Sequence, residues 1–185
     1  MRYWIPREVN EVSKTLGKAG FEAYLVGGCV RDLMLSREPK DWDIATNAKP
    51  EKIQKLFPDS VYENKFGTVG VKTDSEDKRL KVIEVTTFRL EDKYTDKRHP
   101  DEIKFAKTIE EDLARRDFTI NAIALDLDED KIIDPYKGQD DLKKKVIRAV
   151  GDPKLRFKED ALRLLRGIRI ATQLGFRIEE NTWTG

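Results

Sequence analysis

The chain has 185 residues, of which 38% are apolar and 38% are charged, and its formal net charge is +1. This length allows one sizeable hydrophobic core and the beginning of a second domain. The single cysteine, Cys29, excludes an intramolecular disulfide framework, and the single histidine, His99, leaves too few ligands for an ordinary zinc site. The apolar runs are too short to cross a bilayer and the amino terminus lacks a signal-peptide pattern, so we expect a cytoplasmic protein.

The charge is unevenly distributed along the chain. Residues 141–185 carry a net charge of +5, which leaves −4 for residues 1–140. The basic carboxy-terminal part is therefore the better surface for phosphate. A run such as residues 143–145, three successive lysines, is also typical of an ordinary solvated face.

Apolar spacing and turn residues predict the elements in chain order. In the first half they are a helix beginning at Pro6, a strand over residues 21–26, a short helix after Gly27 and Gly28, a strand over residues 41–45, and a helix from Pro50 that Pro58 ends. In the second half they are an antiparallel pair of strands (67–73 and 80–88), a charged loop (89–107), a helix (109–115), a hairpin (121–127 with 131–134) and a helix from Pro153 to Gly175. This order predicts an α/β (α+β) fold with a small mixed sheet over residues 1–140, followed by a helical part over residues 141–185.

Three carboxylates are candidate ligands for a metal ion. Asp41 and Asp43 lie two residues apart, so in an extended segment both side chains point to one face, where oxygen ligands suit a cation such as Mg²⁺. Glu84 interrupts an otherwise apolar strand, and a buried carboxylate is costly unless it is paired or bound to metal. The alternatives are that the aspartates belong to a surface turn and that Glu84 is simply solvated.

A glycine turn is the candidate phosphate-binding element. Gly27 and Gly28 stand between a predicted strand and a predicted helix, where exposed backbone N–H groups attract phosphate. Arg31 lies one turn into that helix and adds a positive charge. Paired glycines also mark ordinary tight turns, and Arg31 also fits a surface role beside Asp32.

The predicted helix over residues 159–172 has two distinct faces. Its apolar face contains Ala161, Leu164, Leu165, Ile168 and Ala171, and its polar side contains Asp160, Arg163, Arg166 and Arg169. Asp160 and Arg163 are neighbours at i and i+3, so they form either a weak surface ion pair or a paired acceptor and donor for a ligand. Three arginines in register favour a ligand with phosphates and a hydrogen-bonding edge.

Four motifs in fixed order give the chain a family resemblance. They are residues 27–32 (Gly-Gly-Cys-Val-Arg-Asp), 41–43 (Asp-Trp-Asp), 115–122 (Arg-Arg-Asp-Phe-Thr-Ile-Asn-Ala) and 159–166 (Glu-Asp-Ala-Leu-Arg-Leu-Leu-Arg). With these motifs the chain resembles the class II tRNA nucleotidyltransferases, the family of the bacterial CCA-adding enzymes and poly(A) polymerases. The resemblance implies a polymerase-β-like nucleotidyltransferase head over residues 1–140 and the start of a helical neck over residues 141–185.

The resemblance also implies roles for individual residues. Asp41, Asp43 and Glu84 match the catalytic carboxylates that bind two Mg²⁺ ions, and Gly27, Gly28 and Arg31 match the triphosphate-binding turn. Arg116 matches a nucleotide-binding arginine, Asp160 and Arg163 match the base-reading pair, Arg166 and Arg169 match further nucleotide contacts, and residues 89–100 match a flexible loop used in changing from C to A.

The implied function is addition of C and A from CTP and ATP to the 3′ end of tRNA, with release of pyrophosphate. The alternatives are a CC-adding, A-adding or poly(A)-adding relative, and a nucleotide-binding or RNA-binding module that does not catalyse. Family members continue with body and tail regions that grip tRNA, whereas this chain stops at Gly185. We therefore expect a truncated chain or one that a partner completes, with tRNA affinity more affected than nucleotide binding.

Overall fold

A computed structural model describes residues 3–62, 67–91 and 103–185. The helices of these residues are α1 (Arg7–Lys18), α2 (Gly28–Met34), α3 (Pro50–Leu56), α4 (Ile109–Ala114), α5 (Gly138–Lys144), α6 (Pro153–Glu159), α7 (Leu162–Leu174) and α8 (Glu180–Thr184), with a 3₁₀ turn at Thr119–Asn121. The strands are β1 (Ala23–Val26), β2 (Asp43–Thr46), β3 (Ser60–Tyr62), β4 (Thr68–Lys72), β5 (Val82–Thr87), β6 (Arg89–Glu91), β7 (Ile103–Phe105), β8 (Ala124–Asp126), β9 (Lys131–Ile133), β10 (Val146–Ile147) and β11 (Arg177–Ile178). Among these residues, no helix is long and apolar enough to cross a membrane.

Seven strands form one mixed sheet in the order β3-β4-β5-β2-β1-β8-β9. Neighbouring strands are antiparallel except β2 and β5, which are parallel and place Asp43 opposite Glu84. Because β1 is antiparallel to both β2 and β8, its carboxyl end at Val26 lies beside the beginning of each of those strands. One edge of the sheet therefore brings together the glycine turn, the aspartate segment and the residues before β8.

Side chains on both faces of the central strands β1 and β2 are buried, which explains the apolar character of these strands. Leu25 and Ile44 belong to the larger core cluster, whereas their neighbours Val26 and Ala45 belong to a second cluster. Successive side chains of a strand point to opposite faces, so each face has its own core. The predicted mixed α/β fold is confirmed.

Most predicted elements of the first part are present. The amphipathic helix α1 buries its apolar stripe, and Pro50 begins α3 as its first residue. The strands β4 and β5 are antiparallel, as are β8 and β9. The short edge strand β3, helix α5 and the pair β10 and β11 are additional elements that local patterning did not reveal.

Two predicted elements are wrong in part. The predicted loop over residues 89–107 has strands at both ends, since β6 and β7 pair with Arg89 opposite Phe105. Residues 92–102, which include most of the segment 89–100, lie outside the described residues. Each strand has only three residues, so its pairing depends on the partner strand rather than on a sequence period.

The predicted continuous helix from Pro153 to Gly175 is the other error, because it is interrupted between α6 and α7. Asp160 has extended backbone angles, φ −139° and ψ 106°, and its Oδ1 accepts a hydrogen bond of 2.9 Å from the backbone N–H of Leu162. No proline or glycine marks this break, so helical periodicity could not reveal it.

Helix α7 packs against the rest of the fold through Arg163, Gly167 and Ile170 rather than through the predicted apolar face. Arg163, Gly167 and Ile170 are buried, whereas Leu165 is 66% exposed and Ile168 is 51% exposed. A Cβ on Gly167 would lie 3.0 Å from the Phe118 ring, so the missing side chain permits close packing. The parallel pair β10 and β11 connects the segments before and after this helix.

Candidate active site

The glycine turn lies where β1 ends. Gly27 has a φ of +74°, a conformation that favours glycine. A Cβ at this position would lie 2.8 Å from Nη1 of Arg116 and 3.6 Å from Oδ2 of Asp43. The absence of a side chain therefore allows an arginine and a carboxylate to approach the same turn.

Arg31 projects from α2 with its guanidinium held on two sides. Its Nε donates to Oδ1 of Asp32 at 2.9 Å, and its Nη1 donates to Oδ1 of Asn121 at 2.8 Å. The side chain is 15% exposed and lines the cavity described below. Arg31 therefore pairs with Asp32, as the surface alternative suggested, and its side chain also lines the cavity.

The candidate metal-binding carboxylates come from two strands and the bend before one of them. Asp43 begins β2, whereas Asp41 precedes the strand and is exposed, so the two side chains do not share a strand as expected. Burial, together with the negative charges of Glu84 and Asp41 and against the lowering effect of Arg116, raises the pKa of Asp43 to about 7.

Glu84 differs from the expectation of a buried carboxylate. The residue is exposed, because it lies on the face of β5 opposite the buried Ile83 and Val85. It nevertheless stands next to Asp43 across the parallel pair and contributes to the negative potential there. Glu84 therefore lies on an exposed strand face, which was the alternative to a buried carboxylate. It is nevertheless adjacent to Asp43 in the sheet.

The donor chemistry of this region fits a hard divalent cation. Within residues 3–62, 67–91 and 103–185, no three His, Cys, Asp or Glu side chains are arranged to hold a metal ion together. Asp41 and Asp43 still supply carboxylate oxygens, the ligands that Mg²⁺ prefers. A cation beside them would offset the negative charges of Glu84 and Asp41, which add to the effect of burial in raising the pKa of Asp43.

Arg116 is fixed beside the aspartates by a carboxylate that the sequence interpretation missed. Asp112, which is 1% exposed, accepts hydrogen bonds from Nη2 of Arg116 at 3.1 Å and from Nη2 of Arg115 at 2.7 Å. The buried Nε of Arg116 has no hydrogen-bond partner among the described residues. The spacing of an acidic residue three and four positions before two arginines was the available signal.

Asp117 and Asn121 are the other missed residues of the site. Both are buried, and Oδ1 of Asp117 accepts a hydrogen bond from the Asn121 amide at 3.1 Å. Oδ2 of Asp117 accepts one from Nε of Arg166 at 2.8 Å. Both residues belong to the Arg-Arg-Asp motif segment, but the motif alone does not show which of its residues contact each other in the fold.

The candidate base-reading pair lies at the start of α7. Arg163 is 5% exposed, and its guanidinium donates to Oε2 of Glu159 at 2.7 Å and to the backbone oxygen of Arg115 at 3.1 Å. Oδ1 of Asp160 accepts from the backbone N–H of Leu162, and the residue lines the cavity described below. The pair is thus held by backbone and side-chain contacts, and the break between α6 and α7 sets the direction of Asp160.

One cavity of about 880 Å³ joins these groups. Its lining includes most of the candidate residues, namely Gly27, Gly28, Arg31, Asp41, Asp43, Arg116, Asp160, Arg163, Arg166 and Arg169, as well as Asp117 and Asn121. Glu84 is not part of this lining. The volume is within the range of about 300 to 1,000 Å³ that is usual for small-molecule sites.

Residues 23–148 match the family model described as the poly A polymerase head domain. The chain belongs to this family. Enzymes of this nucleotidyltransferase family generally need divalent metal ions. The match includes the glycine turn, the three carboxylates and the Arg-Arg-Asp motif, and it ends before α6.

The chain is similar to curated CCA-adding enzymes. It is 51% identical over 172 residues to that of Lactobacillus helveticus, covering 92% of this chain and 42% of the relative. It is 50% identical over 182 residues to that of Enterococcus faecalis, covering 96% of this chain and 43% of the relative. The chain therefore spans less than half the length of these relatives.

Solved structures agree with this similarity. The Bacillus stearothermophilus CCA-adding enzyme in complex with CTP is 38% identical with a TM-score of 0.83, covering 96% of this chain and 42% of that chain. A tRNA nucleotidyltransferase complexed with a primer tRNA and an incoming ATP analogue is 31% identical with a TM-score of 0.72, covering 94% of this chain and 48% of that chain. The similarity extends beyond the head-domain match, because both coverages exceed nine-tenths of this chain.

Proposed function

We propose that this chain is the nucleotidyltransferase head and the start of the neck of a CCA-adding enzyme, with the head over residues 1–140 and the neck over residues 141–185. The observation that supports this best is the cavity that contains a glycine turn, two carboxylates and a donor–acceptor pair. The names of the curated relatives and of the CTP-bound structure point to the same activity. The full enzyme would add C and A from CTP and ATP to the 3′ end of tRNA.

The phosphate side of the proposed site is the edge where β1 ends. The backbone N–H groups at Gly27 and Gly28 and the guanidinium of Arg31 would bind the triphosphate. Arg116, whose buried Nε has no partner in the part of the chain that the structure describes, would bind a negatively charged or oxygen-rich part of the nucleotide. Arg166 and Arg169 line the same cavity and would add further contacts.

Asp41 and Asp43, with Glu84 beside them, would hold two Mg²⁺ ions. When bound, such ions promote ionisation of a hydroxyl nucleophile and stabilise the charge that develops on the phosphate. The primer 3′-hydroxyl forms a bond to the α-phosphorus, the bond to the β-phosphate oxygen breaks, and pyrophosphate leaves. The protein residues position both reactants, and no covalent intermediate with a side chain is required.

Asp160 and Arg163 would select the base. Cytosine and adenine each present an exocyclic amino donor next to a ring-nitrogen acceptor, so one carboxylate and one guanidinium can satisfy either base. Uracil and guanine present the opposite order, which would leave charged groups unpaired at a cost of about 1 to 3 kcal/mol per group. Contacts of Arg163 with Glu159 and a backbone oxygen hold its guanidinium in a fixed position beside the cavity.

The decisive assay measures incorporation of labelled CTP or ATP, with Mg²⁺, on tRNAs that end before CCA, after C and after CC. We expect C addition to the first two primers and A addition to the third, and loss of both when Mg²⁺ is chelated. Asp43→Ala should lose activity by more than about a hundredfold, as expected for removal of a ligand to a catalytic metal. Asp59→Ala, at an exposed aspartate with a side chain 79% accessible, is the matched control and should retain it.

The alternative functions predict different products. Addition of A alone or C alone would identify a specialised relative, and addition of many A residues would identify a poly(A)-adding one. Binding of CTP without incorporation on any primer would leave only a nucleotide-binding module. The chain spans 42% of the Lactobacillus helveticus relative, so the full enzyme would have further residues for binding tRNA. The assay should therefore include high tRNA concentrations.

A cytoplasmic location stays a prediction.

A further inference from the structure

Four side chains form a hydrogen-bonded connection from α7 to α2. Arg166 donates from Nε to Oδ2 of Asp117 at 2.8 Å, and Oδ1 of Asp117 accepts from Nδ2 of Asn121 at 3.1 Å. Oδ1 of Asn121 in turn accepts from Nη1 of Arg31 at 2.8 Å. This connection joins a residue on the proposed base side of the cavity to one on its phosphate side.

The chemistry of the two ends requires a group between them that both donates and accepts, and the side-chain amide of Asn121 does so. Arg31 can only donate, and the ionised Asp117 can only accept, so the residue between them must accept on one side and donate on the other. Burial favours the neutral form of Asp117, but Arg166, the Asn121 amide and the Phe118 N–H together lower its pKa below the ordinary value. Asn121, which is 6% exposed, therefore has one amide orientation that satisfies both neighbours.

The guanidinium of Arg31 is held along both of its edges. Asp32 accepts from Nε at 2.9 Å and lies 2.8 Å from Nη2, while Asn121 accepts from Nη1. Among the described residues, removal of Asn121 would leave the adjacent Asp32 as the partner that holds the Arg31 guanidinium. Its charge would remain in the cavity, but its direction would no longer be set by the residues before β8.

We propose that Asn121 is a positioning residue that orients Arg31 toward the nucleotide triphosphate and connects it through Asp117 to Arg166. This inference depends on the proposed nucleotide-binding function. It predicts that changing Asn121 weakens binding of the triphosphate, although Asn121 does not itself bind phosphate. It also predicts that the effect requires Arg31.

The test compares dissociation constants for CTP and CMP, measured by isothermal titration on the whole chain. Asn121→Ser should weaken CTP binding about tenfold, the loss expected for a disturbed hydrogen bond to a charged group, and change CMP binding by less than about twofold. Asn47→Ser, the same change at an exposed asparagine outside the cavity lining, should change neither constant. In the Arg31→Met background, Asn121→Ser should have no further effect on CTP.

Each other result overturns the inference. Equal weakening of CTP and CMP would assign Asn121 a merely structural role, and undiminished CTP binding would assign it none. If Asn121→Ser weakened CTP binding to the same extent in the Arg31→Met background, Asn121 would not act through Arg31. If Asn121→Ser fails to show a cooperative thermal transition, Asn121→Leu, which keeps the number and branching of the side-chain heavy atoms, replaces it with the same expected ratios. Failure of the unmodified chain to bind CTP would refute the proposed function as well.

Discussion

Replacing Gly27 with alanine tests whether the glycine turn is shaped for its neighbours in the cavity. The backbone angles of Gly27, φ 74° and ψ −133°, would cost about 1 to 3 kcal/mol for a residue with a Cβ. The new methyl group would also lie 2.8 Å from Nη1 of Arg116, which must move. That movement would weaken the 3.1 Å contact between Arg116 and Asp112, so we expect CTP affinity to fall about tenfold, as for other disturbed hydrogen bonds of charged groups.

The matched control for this change is Gly20→Ala. Gly20 also has a positive φ, +83°, but a Cβ there meets nothing within 4 Å. Urea unfolding should show a loss of about 1 to 3 kcal/mol for both variants, because both acquire backbone strain. Titration with CTP should then separate them, since only Gly27→Ala displaces Arg116. Equal CTP affinities in the two variants would refute the close-approach argument.

Three further predictions concern stability. Gly138→Ala should unfold the protein or cost more than about 3 kcal/mol in urea unfolding, because its Cβ would lie 2.2 Å from the Thr119 carbonyl oxygen; a mild loss would contradict the packing. Leu165→Ser should change the unfolding free energy by less than about 0.5 kcal/mol because the side chain is 66% exposed, so a loss above about 2 kcal/mol would place it in a core. Burial opposes ionisation of Asp112, but two arginines lower its pKa to about 2 from 3.8. The ionised carboxylate therefore contributes about 2 kcal/mol above pH 4 that is lost as the pH falls toward 2, and unfolding of Asp112→Asn should vary less across this interval.

The main elements of the fold could be predicted because their signals are local. The apolar stripe of α1, the proline at the start of α3 and the acidic turn between β8 and β9 each depend on a few neighbouring residues. The interruption between α6 and α7 could not be predicted in this way. It depends on a hydrogen bond from the Leu162 backbone N–H to the Asp160 carboxylate. Such local bonds between an aspartate and the backbone compete with the hydrogen bonds of a continuous helix.

The candidate site was predictable in its residue types but not in its connections. The sequence by itself determined the glycine turn, the carboxylates and the arginines, because phosphate, metal ions and base edges require those groups at short spacing. Only the tertiary structure decided that Glu84 is exposed, that α7 buries Arg163 instead of its apolar face, and that Asn121 stands between Asp117 and Arg31. These features depend on contacts between segments up to 90 positions apart in the chain, which the spacing within any one segment cannot specify.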